Sequence, residues 1–373
     1  MRRVELALEA RGLRVEVGPA HARRDVVRDV SVLLSPGEIT ALVGETGSGK
    51  TMTALSVLRL LPQGATGESE VLRLRDTDLR DLSENEMARV RGNRISMIFQ
   101  DPLAALNPVR TVGFQISEPL RAHRHLGASD AKRRAVELLA QVGIPDPASN
   151  VGRYPHELSG GMRQRVLIAA ALACDPEILI ADEPTTALDV TIQAQILRLI
   201  RAETERRGLA VLLVTHDLAV ASTVADRIQV MYGGTIVERG KARDVITQPN
   251  HPYTRGLLDS VPTVDRKLTP LRAIPGSPDG VTAISMGCRF APRCAHAIAR
   301  CASEEPNTPA AAPRGRRAIL RRETLPAVVR PRSRKTAGGS SAPSAAPAVP
   351  LPASMTVWTH PLRFGRRDAG RLA

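Results

Sequence analysis

The sequence predicts an α/β fold built around a parallel β-sheet, and three observations carry this prediction. The apolar run Ile39–Val43 leads into a glycine-rich loop and then a helical pattern. Between Ile178 and Ala225, short apolar runs alternate with helical patterns, as in strand–helix–strand units. The 373-residue chain is 43% hydrophobic and 24% charged, which provides enough apolar material for a core and excludes global disorder. Four cysteines in this length exclude a disulfide-stapled fold.

Local patterns predict the individual elements. Glycine and proline separate the short apolar runs, and helical patterns broken by prolines fill a segment from about Asp81 to Arg165, which we interpret as an insert in the α/β core. In chain order, we predict strands at Val4–Leu8, Leu13–Val17, Val30–Leu34 and Ile39–Val43, a helix at about Lys50–Leu60, a helix at Ala131–Val142, a strand at Ile178–Ala181, a helix at Thr191–Arg206, a strand at Val211–Thr215, a helix at Leu218–Ala225, and a hairpin of Ile228–Tyr232 and Thr235–Glu238 around Gly233 and Gly234.

The glycine-rich loop matches the P-loop pattern. Its residues are Gly44-Glu45-Thr46-Gly47-Ser48-Gly49-Lys50-Thr51, and they stand between an apolar strand and a helix, as this motif requires. Backbone N–H groups of such a loop surround phosphate oxygens, the lysine reaches the β- and γ-phosphates, and the threonine hydroxyl binds Mg²⁺. The sequence therefore predicts an ATP and magnesium site.

A second motif supplies carboxylates to that site. The apolar strand Ile178–Ala181 ends in Asp182 and Glu183, the arrangement of a Walker B segment. Asp182 is predicted to hold Mg²⁺, and Glu183 to act as the general base for the attacking water.

A third motif distinguishes the chain from simple P-loop hydrolases. Ser159, Gly160 and Gly161 open a helix predicted to run through Val166 to Ala173. Its N-terminus is a second place where a γ-phosphate could bind. Two phosphate-binding helix starts in one chain can serve two nucleotides shared between two chains.

Together these motifs resemble the ATP-binding subunit of an ATP-binding cassette (ABC) transporter, over roughly residues 4–310. The resemblance implies a P-loop NTPase fold of the ABC type, in which a RecA-like core carries an antiparallel β subdomain and a helical subdomain at about 81–165. The nucleotide-binding domain would span residues 1–250. A C-terminal region with a cysteine motif would span residues 251–310.

The resemblance also assigns roles to further residues. Gln100, in Met97–Pro102, stands where the Q-loop glutamine of the family senses Mg²⁺ and the membrane subunit. Asp189, in Ala187-Leu188-Asp189, matches the D-loop at the dimer interface, and His216 matches the switch histidine that contacts the γ-phosphate. The implied active unit is a head-to-tail dimer of two ATPase subunits, the second expected to be a different chain.

More extended motifs resemble the oligopeptide, dipeptide and nickel importer branch. They are Phe99–Pro108, the Met162 variant of the signature, His251–Leu258, Ile274–Pro278 and Gly287–Cys294. The implied function is ATP hydrolysis that drives import of peptides, or of a related solute such as nickel. The implied partners are two transmembrane permeases and, indirectly, an extracytoplasmic solute-binding protein. The sequence shows neither a secretory signal nor a spanning apolar run, so we expect a peripheral protein on the cytoplasmic face of the cell membrane.

The chain departs from the family pattern at three places, and one of them is the segment beyond about residue 312, where the match fades into a basic tail. Val17 stands where the family usually has an aromatic residue that stacks on adenine. Cys288, Cys294 and Cys301 match three of the four cysteines that bind an iron–sulfur cluster in some members, but the fourth is absent. A four-iron cluster, a three-ligand site and thiols without a ligand remain the alternatives.

The net charge of +14 is concentrated at the C-terminus. Residues 311–373 hold 13 of the 52 basic residues and two acidic ones, so +11 lies there and +3 on residues 1–310. This basic, proline- and alanine-rich tail is predicted to be disordered. It motivates an alternative function, a soluble ABC ATPase acting on nucleic acid or ribosomes. Aromatic residues make up only 2% of the chain, the sequence shows one cassette, and nucleic acid is not the expected partner. A regulatory cassette with a degenerate site is disfavoured by the intact motifs.

Overall fold

The structure is a computed structural model that describes residues 5–19, 21–186, 188–260, 273–277 and 286–306. The predicted basic tail, residues 311–373, lies outside the described residues, as does Ala187 of the predicted D-loop. The described strands are β1 (Leu8–Val17), β2 (Arg24–Leu34), β3 (Ile39–Val43), β4 (Ala65–Glu68), β5 (Val71–Leu74), β6 (Thr77–Asp78), β7 (Ile95–Ile98), β8 (Ile178–Asp182), β9 (Ala210–Thr215), β10 (Arg227–Tyr232) and β11 (Thr235–Lys241).

Helices fill the intervals between these strands. They are α1 (Lys50–Val57), α2 (Glu84–Val90), α3 (Pro102–Ala105), α4 (Val112–His123), α5 (Ala128–Gln141), α6 (Pro147–Asn150), α7 (Gly160–Ala171), α8 (Val190–Arg207), α9 (Leu218–Val224), α10 (Ala242–Thr247) and α11 (Pro252–Asp259). Short 3-10 helices lie at Pro155–Glu157, Ala291–Arg293 and Ala299–Ala302. None of the helices in the described ranges is both long enough and apolar enough to span a bilayer.

The central sheet is six-stranded, in the order β11-β10-β3-β9-β8-β7, and all neighbours pair in parallel except β10 and β11. The predicted parallel sheet is thereby confirmed. The inner strands β3, β8 and β9 read as nearly continuous apolar runs because they are buried on both faces. Alternate residues of β8 illustrate this: Leu179 and Ala181 belong to one buried cluster, and Ile178 and Ile180 to the other.

The second sheet is antiparallel, with β1 at its centre between β2 and, on the other side, β4 and β5; β6 pairs with β5. The prediction of two strands separated at Gly12 is wrong, because β1 is continuous from Leu8 to Val17. Gly12 adopts φ +60, and the pairing with β2 shifts register between Ala10 and Leu13, as in a β-bulge. Glycine here allows the strand to bend without ending it.

The predicted helical insert, about 81–165, contains one strand of the central sheet. Residues 95–98 form β7, which pairs in parallel with β8. Helices α3–α7 follow, and α4, α5 and α7 share one buried cluster. Helix α1 ends at Val57 rather than Leu60 because Arg59 turns into a positive φ of 53, and the Leu60 N–H bonds back to Leu55.

Candidate functional site

The P-loop lies between β3 and α1 and is packed tightly against the rest of the core. Gly47 and Gly49 adopt φ values of +81 and +101, which glycine accepts without strain. A Cβ at Gly44 would stand 2.1 Å from the carbonyl oxygen of Met231, and one at Gly49 would stand 2.7 Å from that of Val26. Glycine is therefore required at both positions for the loop to keep its path.

Lys50 is 5% exposed and folds back over this loop. Its ammonium group donates to the carbonyl oxygens of Gly44, at 2.8 Å, and Glu45, at 2.9 Å. Burial lowers the pKa of Lys50, and the carboxylates of Glu183, Asp182 and Glu45 partly oppose that shift. Ser48 Oγ is buried and has no hydrogen-bond partner among the described residues. A buried cation and an unpaired hydroxyl in the same loop fit a phosphate ligand.

Thr51 and Asp182 meet at the end of β8. The Thr51 hydroxyl donates to Asp182 Oδ1 at 3.3 Å. Burial raises the pKa of Asp182 to about 6; Glu183 adds to this shift, and the Thr51 hydrogen bond opposes it. Hydroxyl and carboxylate oxygens are the ligands that Mg²⁺ prefers, so these two residues fit a magnesium site.

Glu183 is the point at which three other polar side chains converge. Its Oε2 accepts hydrogen bonds from Gln100 Nε2 at 3.2 Å and from Thr186 Oγ1 at 2.9 Å, and His216 Nδ1 lies 3.2 Å away. Glu183 has φ +45, and its N–H donates to the carbonyl oxygen of Val214 at 2.9 Å. A non-glycine residue held at positive φ by its surroundings is typical of a functional position.

Sheet topology explains this convergence. Gln100, Glu183 and His216 each follow the carboxyl end of a strand, and these strands, β7, β8 and β9, are parallel neighbours. The carboxyl ends of parallel strands meet at one edge of the sheet, which is where α/β proteins bind ligands. The structure thus brings together residues that are 83 positions apart in the case of Gln100 and Glu183.

The signature residues lie at the exposed start of α7. Ser159 is the N-cap, and its hydroxyl accepts from the Met162 N–H at 3.3 Å. The two glycines pack against the start of α8: a Cβ at Gly161 would stand 2.8 Å from Ile192, and one at Gly160 would stand 3.6 Å from Leu188. Asp189 caps α8 by accepting from the Ile192 N–H at 2.9 Å. Among the described residues, no hydrogen bond joins this helix start to the P-loop.

The three cysteines of the C-terminal motif, Cys288, Cys294 and Cys301, lie in the described segment 286–306. Cys288 N–H donates to the Cys301 carbonyl at 2.8 Å, and Cys294 is partly buried nearby. Burial raises the pKa of the Cys288 thiol, and the neighbouring Cys301 and Cys294 add to that shift, so the neutral thiol is favoured. No three described His, Cys, Asp or Glu side chains are arranged to hold a metal ion.

Sequence reasoning missed two residues at the site. Thr186 donates a hydrogen bond to Glu183 from the loop after β8. It is three residues from Glu183, so its position in the sequence could have indicated the contact. Arg293 pairs with Glu45 of the P-loop across 248 positions, and no local pattern could indicate that contact.

Comparisons with known proteins agree with this geometry. The ABC transporter family pattern matches residues 27–186, and the oligopeptide/dipeptide transporter C-terminal region matches residues 237–301. The chain is 49% identical over 312 residues to a putative peptide import ATP-binding protein of Brucella melitensis, covering 80% of this chain and 92% of that one. It is 48% identical over 283 residues to the oligopeptide transport ATP-binding protein AppD of Bacillus subtilis, covering 75% and 86%.

Solved structures share the fold. The dimeric structure of MJ0796, described as a bacterial ABC transporter cassette, superposes with a TM-score of 0.56 at 28% identity, over 63% of this chain and 99% of that one. The same cassette is known as a dimer in a post-hydrolysis state with ADP and Pi, with the same similarity to this chain.

Proposed function

Since the chain belongs to the ABC transporter family of ATP-binding proteins, we propose that it is the ATP-hydrolysing subunit of a peptide importer. The peptide assignment is supported by the relatives from Brucella and Bacillus and by the oligopeptide-type C-terminal region. That region spans residues 237–301, so it is part of the same chain as the ATPase motifs.

Nucleotide binding is assigned to the P-loop. Its backbone N–H groups and Lys50 hold the phosphates of ATP. The Ser48 hydroxyl is buried without a hydrogen-bond partner among the described residues, and a phosphate oxygen would supply one. Thr51, Asp182 and Gln100 are the residues that would hold Mg²⁺, which when bound neutralises phosphate charge.

The convergence on Glu183 Oε2 is the observation that carries the catalytic assignment. Glu183 accepts the proton of the attacking water, and His216, Gln100 and Thr186 orient its carboxylate. Orientation matters because a general base must lie within hydrogen-bond reach of the proton that it removes. The positive φ of Glu183 fixes where the side chain leaves the strand end.

Hydrolysis requires a second cassette in this proposal. Ser159 is exposed at a helix start that makes no hydrogen bond to its own P-loop in the described residues, so it is available to the nucleotide of a partner chain. Asp189 lies beside it at the start of α8 and would contribute to the same interface. We expect a head-to-tail dimer with a different ATPase chain.

Permease contact is assigned to the surface after Gln100. Leu103 is 55% exposed and Val109 is 76% exposed, and a permease docked there would bury both apolar side chains. Two permeases would dock there, placing the chain on the cytoplasmic face of the cell membrane. Closure of the dimer around ATP would move this surface and so couple hydrolysis to import of the peptide that a solute-binding protein delivers.

The test is purification from membranes through a tag on this chain. We expect two hydrophobic permeases and a second cassette to co-purify, and ATP hydrolysis to require Lys50. The Glu183→Gln variant should bind ATP but hydrolyse it at least about 100-fold more slowly, since removal of a general base costs about 10²–10⁴ in rate. A complex without permeases would refute the transport assignment, and wild-type turnover in Glu183→Gln would refute the base.

A further inference from the structure

The C-terminal segment 286–306 contacts the P-loop through a buried arginine. The Arg293 side chain is 5% exposed. Its Nη1 donates to Glu45 Oε2 at 2.6 Å and its Nη2 to Glu45 Oε1 at 3.1 Å, while its Nε donates to the Pro275 carbonyl at 2.8 Å. Two-point pairing of a buried guanidinium with a carboxylate fixes both groups in position and orientation.

Two tyrosines complete the hold on Glu45. The Glu45 N–H donates to the Tyr253 hydroxyl at 2.8 Å, so this P-loop residue is held through its main chain as well as its side chain. The Tyr232 hydroxyl accepts from Arg293 Nη1 at 3.3 Å. Phe290 packs against both rings, with centroid distances of 5.1 and 5.3 Å. The contact is therefore a packed, hydrogen-bonded cluster, not a mobile surface ion pair.

Charge explains what this cluster could do. Glu45 follows the first glycine of a loop built to surround phosphates, and an unpaired carboxylate there would repel them. The Glu45 charge already acts on Lys50, where it opposes the fall in pKa caused by burial. Arg293 neutralises the carboxylate and holds it against the C-terminal segment.

We propose that Arg293 is a positioning residue for nucleotide binding, which pairs with the Glu45 carboxylate and so keeps negative charge away from the phosphates of ATP. This inference rests on the proposed function of the P-loop. It gives the C-terminal segment a role in the ATPase site that needs no metal at its cysteines.

The test is the affinity of the full chain for Mg-ATP in a charge-rescue series. Arg293→Ala should weaken ATP binding about tenfold, a difference of about 1.4 kcal/mol. Glu45→Gln in the Arg293→Ala background should restore most of the loss, because the unpaired charge is gone. The KM for ATP should rise in Arg293→Ala while kcat at saturating ATP stays within about twofold, since the chemistry at Glu183 is untouched. Arg300→Ala is the matched control, because Arg300 lies in the same segment but is 73% exposed and pairs only with Glu304 in the described contacts.

Two further variants protect the test against misfolding. Arg293→Lys keeps the charge and loses the two-point geometry, and Tyr253→Phe loses only the hydroxyl; each should weaken ATP binding about threefold. Wild-type affinity in Arg293→Ala, or in both of these variants if Arg293→Ala does not fold, would overturn the inference. A loss that Glu45→Gln does not rescue would also overturn it. Failure of the wild-type protein to bind ATP would instead overturn the nucleotide site itself, and the inference with it.

Discussion

The Thr186 hydroxyl donates a 2.9 Å hydrogen bond to Glu183 Oε2, the same oxygen that Gln100 and His216 approach. Thr186 comes three residues after Glu183, in the loop that leaves β8. Unlike Gln100 and His216, it is tied to Glu183 by a short stretch of chain. It therefore provides the most local restraint on the orientation of this carboxylate.

Removal of that hydrogen bond should slow hydrolysis without affecting nucleotide binding. We expect Thr186→Val to lower kcat about tenfold, because a general base that loses a restraint spends less time in the productive orientation. The dissociation constant for ATP should stay within about twofold. Steady-state hydrolysis and equilibrium ATP binding measure the two effects. Thr186→Ser, which keeps the hydroxyl, is the matched control, and equal kcat for the valine and serine variants would contradict this role.

Substitution of Gly44 should destabilise the whole core. A methyl group there would stand 2.1 Å from the Met231 carbonyl oxygen, and backbone in a central strand cannot move aside cheaply. We expect Gly44→Ala to lower the free energy of unfolding by about 3 kcal/mol. Gly152→Ala is the control, because its nearest neighbour would be 3.8 Å away. Urea unfolding of both variants checks the difference, and equal midpoints would show that the loop has more room than the structure indicates.

The ion pair between Glu203 and Arg207 on α8 should contribute more to stability than its exposed neighbours. Their side chains are 5% and 9% exposed, and the distance between Glu203 Oε2 and Arg207 Nε is 2.7 Å. We expect Glu203→Gln to lower the free energy of unfolding by about 2 kcal/mol, because it removes the buried carboxylate that pairs with Arg207 and leaves only the exposed carboxylate of Asp175. The control is Glu205→Gln on the same helix. It removes a 62%-exposed partner of Arg201 and should cost less than about 0.5 kcal/mol. Similar losses in the two variants would contradict the burial argument.

Protonation of His251 should destabilise the protein at acidic pH. Burial lowers the pKa of His251 to about 4, although Glu238 opposes the shift, and its Nδ1 accepts a hydrogen bond from the Tyr253 N–H as the cap of α11. The unfolded chain takes up a proton near pH 6.5, whereas the folded one does so only near pH 4. The stability contributed by neutral His251 is thus complete above about pH 6.5 and is lost as the pH falls toward 4.

The measurement is a comparison with His251→Asn, which keeps an acceptor at the cap but does not titrate. Between pH 7.5 and 5, the wild type should lose about 2 kcal/mol more free energy of unfolding than the variant. All other titrating groups contribute equally to both proteins, so they cancel in the comparison. Parallel pH profiles would show that His251 is protonated as readily in the folded state as in the unfolded one.

The central strands could be predicted because their signals are local. Ile39–Val43 was predicted with the observed bounds. Strands β8 and β9 differ from their predictions by one residue at one end, and α8 by one residue at each end. In contrast, β4 and β7 were not predicted. The sequence of β4, Ala65-Thr66-Gly67-Glu68, shows no alternation of apolar and polar residues, and β7 has only four residues inside a helix-rich segment. Both form strands because a partner strand supplies their hydrogen bonds, which is information that a short window does not contain.

The site divides in the same way. The P-loop and the Asp182-Glu183 pair are contiguous motifs, and Gln100 and His216 were identified by resemblance to the family. That Gln100 lies at the same sheet edge as Glu183 depends on β7, which was not predicted. The roles assigned to these residues remain predictions. The contact between Arg293 and Glu45 depends instead on the path by which the chain returns to the P-loop after α11. A local sequence pattern does not indicate that path.

That return of the chain also sets the order in which the site is completed during synthesis. Glu45 leaves the ribosome 248 residues before the arginine that pairs with it. At about 5–20 residues per second, the interval is about 12–50 s. Throughout that interval the nascent P-loop carries a carboxylate without its arginine partner, so the pairing of Glu45 waits for the synthesis of Arg293.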